Sequence, residues 1–238
     1  MVSKGYLRAW ADSRGRVEVI DMEHQRAFIS SLENATVVSY AYEPSVLTHD
    51  LEGEYARIES KGIPTIAKLR GGHGLSRSEK TSLIAFLDMH LDRGRYADQA
   101  NVGTPAVMMM SDGQMKDVDF NMADRMLLSQ SFPEVVRLAT RSIEDWSWQV
   151  TQSADGSFLA TGDGAVLLWQ ESEGSGLSTV SFPLSPTQLL VIGNDLPDPL
   201  PLNPIMAEQS QRWLIGQRGT FNMNKDSWKS SGLGAASN

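Results

Sequence analysis

Apolar and polar positions follow two different periods along the chain, and the change of period divides it into three blocks. In residues 4–42, apolar positions alternate with polar ones over residues 17–21, which predicts a half-exposed strand. A turn at residues 12–15 joins it to the apolar segment at residues 6–10, which we expect to be the first strand. Residues 34–42 are rich in Val, Thr and Tyr and are a further strand candidate.

The second block, residues 46–145, has helical spacing of its apolar residues. Thr48 or Asp50 can cap a helix whose apolar face begins at Leu51. Gly62 and Pro64 are expected to end or kink this helix, because proline lacks the amide proton that an interior helical position donates.

Two further helices are predicted in this block. Ser76 and Glu79 have the spacing of a capping box, in which each residue satisfies the other's backbone N–H, and an amphipathic stripe follows them. Residues 121–145 predict one long helix or two shorter ones, with Phe132 and Pro133 as the break. The three methionines at residues 108–110 are expected to fill the core.

The third block, residues 146–222, returns to strand spacing. Strand candidates are residues 146–150, 158–161, 166–169, 177–182, 188–192 and 212–216. Asn203 is expected to cap a short helix with Pro204 at its first position. The pattern predicts an α+β fold with a β-rich N-terminal segment, a central helical block and a C-terminal antiparallel β block that can share one sheet with the N-terminus. We expect one domain over residues 1–222 and a flexible tail over residues 223–238.

Composition narrows the functional classes. With 41% hydrophobic and 21% charged residues, the chain has the make-up of a globular protein and is not expected to be disordered. It contains no cysteine, which excludes disulfides, thiol nucleophiles and thiolate metal sites. No apolar signal-peptide core and no run of about 18 apolar residues occur, so we expect a cytoplasmic protein with no membrane partner.

The charge is unevenly distributed. The net charge is −8, and no Lys or Arg occurs between Arg141 and Arg212. Because Lys and Arg neutralise nucleic-acid phosphates, we expect no nucleic acid to bind through this acidic half. A solubilising acidic surface is the favoured interpretation. A cation-binding face and a face for a basic protein partner are the alternatives.

Familiar catalytic motifs are absent from the sequence. It has no phosphate-binding glycine loop followed by Lys-Ser/Thr, no paired-histidine zinc helix and no Gly-x-Ser-x-Gly elbow. Asp88 and Asp92 lie one helical turn apart, and we expect them to form a solvated ion-pair face with Arg95. In the other interpretation, Arg93 and Arg95 reach an anion.

Short signatures in a fixed order run along most of the chain. They are Gly5-Tyr6-Leu7-Arg8-Ala9-Trp10, the helix residue Glu59, Leu91-Asp92-Arg93, the segment Phe158 to Asp163, Phe182-Pro183-Leu184-Ser185-Pro186 and Asn203-Pro204. This order resembles a mostly bacterial family catalogued as domain of unknown function 4238, over most of residues 1–218. Family members usually carry one or two histidines just before the first signature, and this chain has none there.

The resemblance implies a set of polar residues that could form one shared site. The matching positions are Arg8, Glu59, Arg93, Asp163 and Asn203. The alternative is structural: Glu59 forms a buried ion pair with Arg8 or Arg93, and Asn203 is a helix cap. No catalytic residue is assigned, and no cofactor is expected beyond a divalent metal as an option.

Two functions follow as hypotheses. The first is a non-enzymatic binding protein with an unknown protein partner, in phage–host conflict or defence. The resemblance implies this setting, because the histidine-starting form of the first signature is typical of actinobacteria and their phages. The second is a metal-dependent hydrolase acting on phosphodiesters, supported by Glu59, Asp163, Arg8 and Arg93.

Overall fold

A computed structural model describes residues 2–36, 42–132, 134–153 and 157–221. Its helices are α1 (Lys4–Leu7), α2 (Leu51–Arg70), α3 (Arg77–Arg95), α4 (Met122–Ser129) and α5 (Leu202–Gln209). Its strands are β1 (Arg16–Asp21), β2 (Arg26–Ser31), β3 (Thr104–Met109), β4 (Met115–Phe120), β5 (Trp148–Gln152), β6 (Thr161–Gly162), β7 (Leu167–Gln170), β8 (Leu177–Ser185), β9 (Gln188–Gly193) and β10 (Trp213–Gly216). Helices in the middle and antiparallel strands at both ends confirm the α+β prediction.

One sheet joins the two ends of the chain, as predicted. Its strand order is β2-β1-β10-β6, and β1 pairs with β10 so that Val19 lies opposite Ile215. The prediction that β1 is half-exposed is wrong, because residues 17–21 are all buried. The carboxylate of Glu18 is accommodated inside by accepting the backbone N–H groups of Gly219 and Phe221, both at 3.0 Å.

The C-terminal strands form a second sheet, and a separate hairpin lies between α3 and α4. The second sheet has the order β5-β9-β8-β7, and strands were predicted close to all four positions. The hairpin pairs β3 with β4 and was not predicted, since the whole of residues 46–145 was expected to be helical. Strand β2 was missed as well.

The first signature is helical, which corrects the expected strand at residues 6–10. After α1, a short 3-10 helix covers Arg8–Trp10. The reason is a tertiary contact: Tyr6 and Trp10 both enter the core from one side of this compact turn. An extended segment would place residues 6 and 10 about 13 Å apart, at opposite ends of a strand.

Helix α2 runs through Gly62 and Pro64, so the expected end or kink at these residues is wrong. A proline in a helix interior costs about 3 kcal/mol, and packing on both sides offsets that cost. The Cβ that any other residue would add at Gly62 would lie 2.7 Å from the Cβ of Phe86, so glycine allows α2 and α3 to approach closely. Asp50 caps α2 by accepting the N–H of Gly53 at 2.8 Å.

The capping-box prediction is confirmed for α3, which begins after Ser76. Residues 121–145 form only the short α4 followed by two 3-10 turns, Leu138–Thr140 and Ile143–Asp145. Predictions for most of residues 34–42, for Pro133 and for the tail at 223–238 fall largely or wholly outside the described residues. Of the helices described, none combines the length and apolarity needed to cross a membrane.

Candidate functional site

Glu59 and Arg93 form an ion pair that joins α2 to α3. The guanidinium of Arg93 donates to Glu59, and its side chain is 9% exposed. It also lies over the rings of Tyr42 and Tyr55, at 5.0 and 4.8 Å from their centroids. Glu59 therefore neutralises a buried cation at the contact between two helices.

Asp163 binds the backbone of the segment that leads into β10. Its carboxylate accepts the backbone N–H groups of Gln211, Arg212 and Trp213 at 3.0, 2.9 and 3.0 Å. Burial raises the pKa of Asp163 to about 6, because the loss of solvation outweighs the three N–H groups that favour the charged form. Both carboxylate oxygens are engaged by the protein itself.

Three of the five residues expected in a shared site lie close to one another. Arg93, Glu59 and Asp163 all act electrostatically on Tyr42, whose pKa rises to about 12 mainly through burial. Arg8 is exposed on the 3-10 helix and forms no hydrogen bond or ion pair with these three residues. Glu59, Arg93 and Asp163 thus lie near one another, and no hydrogen bond or ion pair joins Arg8 or Asn203 to them.

Asn203 is not the helix cap that the sequence suggested. Helix α5 begins after Pro201, and the side chain of Asn203 lies within the first turn. Its Oδ1 accepts the N–H of Ala160 at 2.7 Å, and its Nδ2 donates to the carbonyl of Phe158 at 2.8 Å. Because both bonds go to a distant segment, Asn203 ties α5 to the chain before β6.

Asp88 and Asp92 are buried, which corrects the expected solvated face. The carboxylate of Asp92 accepts hydrogen bonds from the guanidinium groups of Arg95 at 2.7 Å and Arg137 at 2.5 Å. The carboxylate of Asp88 accepts the backbone N–H groups of Leu138 and Ala139. Burial raises the pKa of each carboxyl above its ordinary value. Both residues fasten the 3-10 turn at residues 138–140 to α3.

The signatures that carry the family resemblance meet in the interior. Tyr6 donates to the carbonyl of Pro183 at 2.6 Å, and its hydroxyl lies 2.7 Å from that of Thr161. Trp10 donates to the carbonyl of Leu159 at 2.9 Å, and Tyr6 stacks on Phe182 with centroids 4.8 Å apart. Three of the signatures, at residues 5–10, 158–163 and 182–186, therefore meet at one buried cluster.

Two carboxylates and a histidine that the sequence pattern did not single out lie close together at the end of β1. Asp21, Glu23 and His24 place their ligand atoms within 4.8 Å of one another. Arg26 donates to Asp21 at 3.2 Å, and Arg212 pairs with Glu23 at 2.9 Å. Because two arginines already neutralise the carboxylates, this group favours an ion-pair network over a metal centre.

The methionines at 108–110 lie on the hairpin of β3 and β4, which we call the methionine hairpin (residues 104–120). Met109 is 71% exposed, Met115 74% and Val107 63%, so the expectation of core methionines is wrong. The turn is closed by the N–H of Gly113 donating to the carbonyl of Met110 at 2.9 Å, with Gly113 at a positive φ of 83°. The sequence carried a signal for it, since Asp-Gly between alternating segments is typical of a hairpin turn.

Comparison with known proteins identifies a family and nothing more specific. The family model described as "Protein of unknown function (DUF4238)" matches residues 1–219, and the chain belongs to that family. No curated protein matches the chain. No solved structure matches it either.

Proposed function

We propose that this member of the family is a binding protein without catalytic activity, and that the methionine hairpin is its docking surface for a protein partner. The observation that carries the proposal is the exposure of Val107, Met109 and Met115, each more than 60% accessible. Contiguous apolar side chains held in solvent on an ordered element are typical of interaction surfaces.

The three apolar residues lie on one face of the hairpin. Met109 and Met115 are directly opposite each other in the register, and Val107 follows on the same face two residues away from Met109. Methionine side chains are flexible and polarisable, so such a pair adapts to a partner's shape. The face therefore offers an adaptable apolar contact.

Carboxylates adjoin this apolar row. Asp117 lies opposite Val107, and Asp119 lies opposite Pro105, and both are exposed. Acidic groups beside apolar ones favour a partner segment that carries Lys or Arg next to its own apolar side chains. Such a partner also fits the net charge of −8.

The hairpin is fastened at its base and projects from there. Ser45 donates to the carbonyl of Asp119 at 3.2 Å, and Arg125 donates to the carbonyl of Val102 at 3.0 Å. Six residues of strand span about 20 Å, so the tip lies well beyond these anchors. A two-stranded hairpin alone is marginally stable in water, and a partner that covers its apolar face would stabilise it.

The geometry gives less support to a metal-dependent hydrolase. Glu59 is paired with Arg93, and both oxygens of Asp163 accept backbone N–H groups. A metal would have to displace these partners before either carboxylate could bind it.

As the setting for the binding function, we propose phage–host conflict. This part of the proposal rests on the resemblance of the first signature to family sequences and on no contact in the structure.

The test is quantitative capture of partners from cells in which the protein is made. The wild-type protein is compared with the double variant Met109→Lys/Met115→Lys and with Ile29→Lys, a matched control at a residue that is 45% exposed outside the hairpin. We expect one partner to be retained by the wild type and Ile29→Lys and lost from the double variant. Equal capture by all three proteins, or no saturable partner, would contradict the proposal.

A further inference from the structure

A groove of about 590 Å³ lies on the second sheet, and none of its lining residues belongs to the methionine hairpin. Its floor includes Leu189 and Val191 of β9, on the face opposite to the main core, and its outer wall is formed by the proline-containing loop at residues 195–201. Ligand grooves in proteins commonly have volumes of about 300–1,000 Å³. This groove is therefore large enough for a few residues of a bound chain.

The floor of the groove is apolar and separate from the main core. Leu159, Leu189 and Val191 form a small buried cluster of their own, against which the half-buried Leu196 and Leu202 pack. Because the side chains of this cluster are only 3–6% exposed, the apolar surface open to a ligand is that of Leu196, Leu200 and Leu202, which are half-buried and line the groove.

The rim of the groove is polar and carries only negative charge. Asp195 and Asp198 are exposed on the loop, and Gln149 donates to Asp195 at 2.5 Å. Among the described residues that line the groove there is no Lys or Arg. A cation placed beside this rim would meet two carboxylates with no competing positive side chain among the lining residues.

We infer that the groove binds an extended peptide segment in which Lys or Arg residues alternate with aliphatic ones. The aliphatic side chains would pack against Leu196, Leu200 and Leu202, and the cations would lie against Asp195 and Asp198. Thr151 and Gln152 line the same groove and lie on the outer strand β5, whose open backbone edge can pair with an extended peptide. This site is independent of the methionine hairpin, so either proposal can fail without the other.

The probe is a fluorescein-labelled hexapeptide of sequence Leu-Arg-Leu-Arg-Leu-Arg, titrated with the full-length protein and followed by fluorescence anisotropy. We expect saturable binding that weakens at least about fivefold in Asp195→Asn/Asp198→Asn, since exposed ion pairs each contribute modestly. The matched control is Asp98→Asn/Asp112→Asn, two exposed aspartates outside the groove, which should bind like the wild type.

A second variant tests the position of the bound peptide. Thr151→Arg introduces a cation into the groove at an exposed strand residue, whereas Gln170→Arg does so on β7, at the opposite edge of the same sheet. Only Thr151→Arg should reduce binding, while circular dichroism should show both variants folded. Met109→Lys/Met115→Lys should leave binding unchanged, which separates this site from the hairpin.

Four results would overturn the inference. They are no saturable binding of the probe, equal binding of a peptide with Glu in place of Arg, equal effects of Thr151→Arg and Gln170→Arg, and displacement of the probe by spermine at the same concentration as by unlabelled peptide. The last would show that the groove takes simple polycations and not a peptide.

Discussion

Replacement of Asp163 tests whether this residue holds the fold together. In Asp163→Ala, three backbone N–H groups lose the carboxylate that accepts them at 2.9–3.0 Å. At about 2 kcal/mol for the buried donor of Trp213 and about 1 kcal/mol for each of the part-buried donors of Gln211 and Arg212, the loss is about 4 kcal/mol. Removing an ionised carboxylate from the interior returns about 3 kcal/mol, because burial raises its pKa from 3.8 to about 6. We therefore expect a net loss of about 1 kcal/mol at pH 7.

The raised pKa of Asp163 also predicts a pH dependence with a definite sign. The folded state binds this proton more tightly than the unfolded state, so stability from protonation is present at low pH and is lost as the pH rises through about 6. Between pH 7 and pH 5, the wild type should gain about 1 kcal/mol that Asp163→Asn does not gain. The difference between the two proteins isolates Asp163 from the other titrating carboxyls.

The assay is urea unfolding followed by circular dichroism at pH 7 and pH 5, with Asp98→Asn as the exposed control. A free energy of unfolding for Asp163→Ala within about 0.5 kcal/mol of the wild type would refute the structural role. A wild-type advantage over Asp163→Asn that shrinks at pH 5 would refute the stated direction of the pKa shift.

Three further predictions concern the contacts of α3. Arg93→Ala leaves Glu59 without its partner and removes the guanidinium from two tyrosine rings. The free energy of unfolding in urea should therefore fall by about 3 kcal/mol. A fall of less than about 0.5 kcal/mol would contradict the buried pair. Burial lowers the pKa of His90 to about 4, so its ring protons should not titrate in NMR spectra between pH 8 and pH 5; a midpoint near 6.5 would contradict this. Gly94→Ala would place a Cβ 2.3 Å from the carbonyl oxygen of Asp163, so its unfolding free energy should fall by about 2 kcal/mol, whereas Gly74→Ala, which has open space, should change it by less than about 0.5 kcal/mol.

Local signals in the sequence were sufficient for several elements of the fold. The capping box at Ser76 fixes the start of α3, and the spacing of the C-terminal strands predicted a sheet that is present. The sharing of one sheet by both chain ends followed from the order of blocks. In each case short-range chemistry and tertiary structure agree.

Where the sequence reading was wrong, a distant contact decided the outcome. Pro64 stays inside α2 on its exposed side, while Gly62 on the buried side packs closely against Phe86, which lies 24 residues away in the sequence. Asn203 bonds to the segment before β6 and not to its own helix, since the neighbouring backbone groups needed a partner. Single-sequence periodicity contains no information on such pairings.

The candidate site was predicted only in part. The resemblance selected Glu59 and Arg93, and the structural alternative correctly described them as a buried pair. It also selected Arg8, which is exposed and forms no ion pair with Glu59. The methionine hairpin was missed because three consecutive apolar residues are usually buried in a protein core. Their exposure here depends on the tertiary structure, in which the hairpin extends away from the residues that hold its base.

The most direct test of the binding function is site-specific photo-crosslinking in the cells that make the protein. A benzophenone amino acid is placed at Met109 in one protein and at Ile29 in another, both exposed positions on strands. We predict one discrete adduct from position 109, none from position 29, and loss of the adduct when Met115→Lys is added. No adduct at position 109, or the same adducts from both positions, would contradict a docking role for the methionine hairpin.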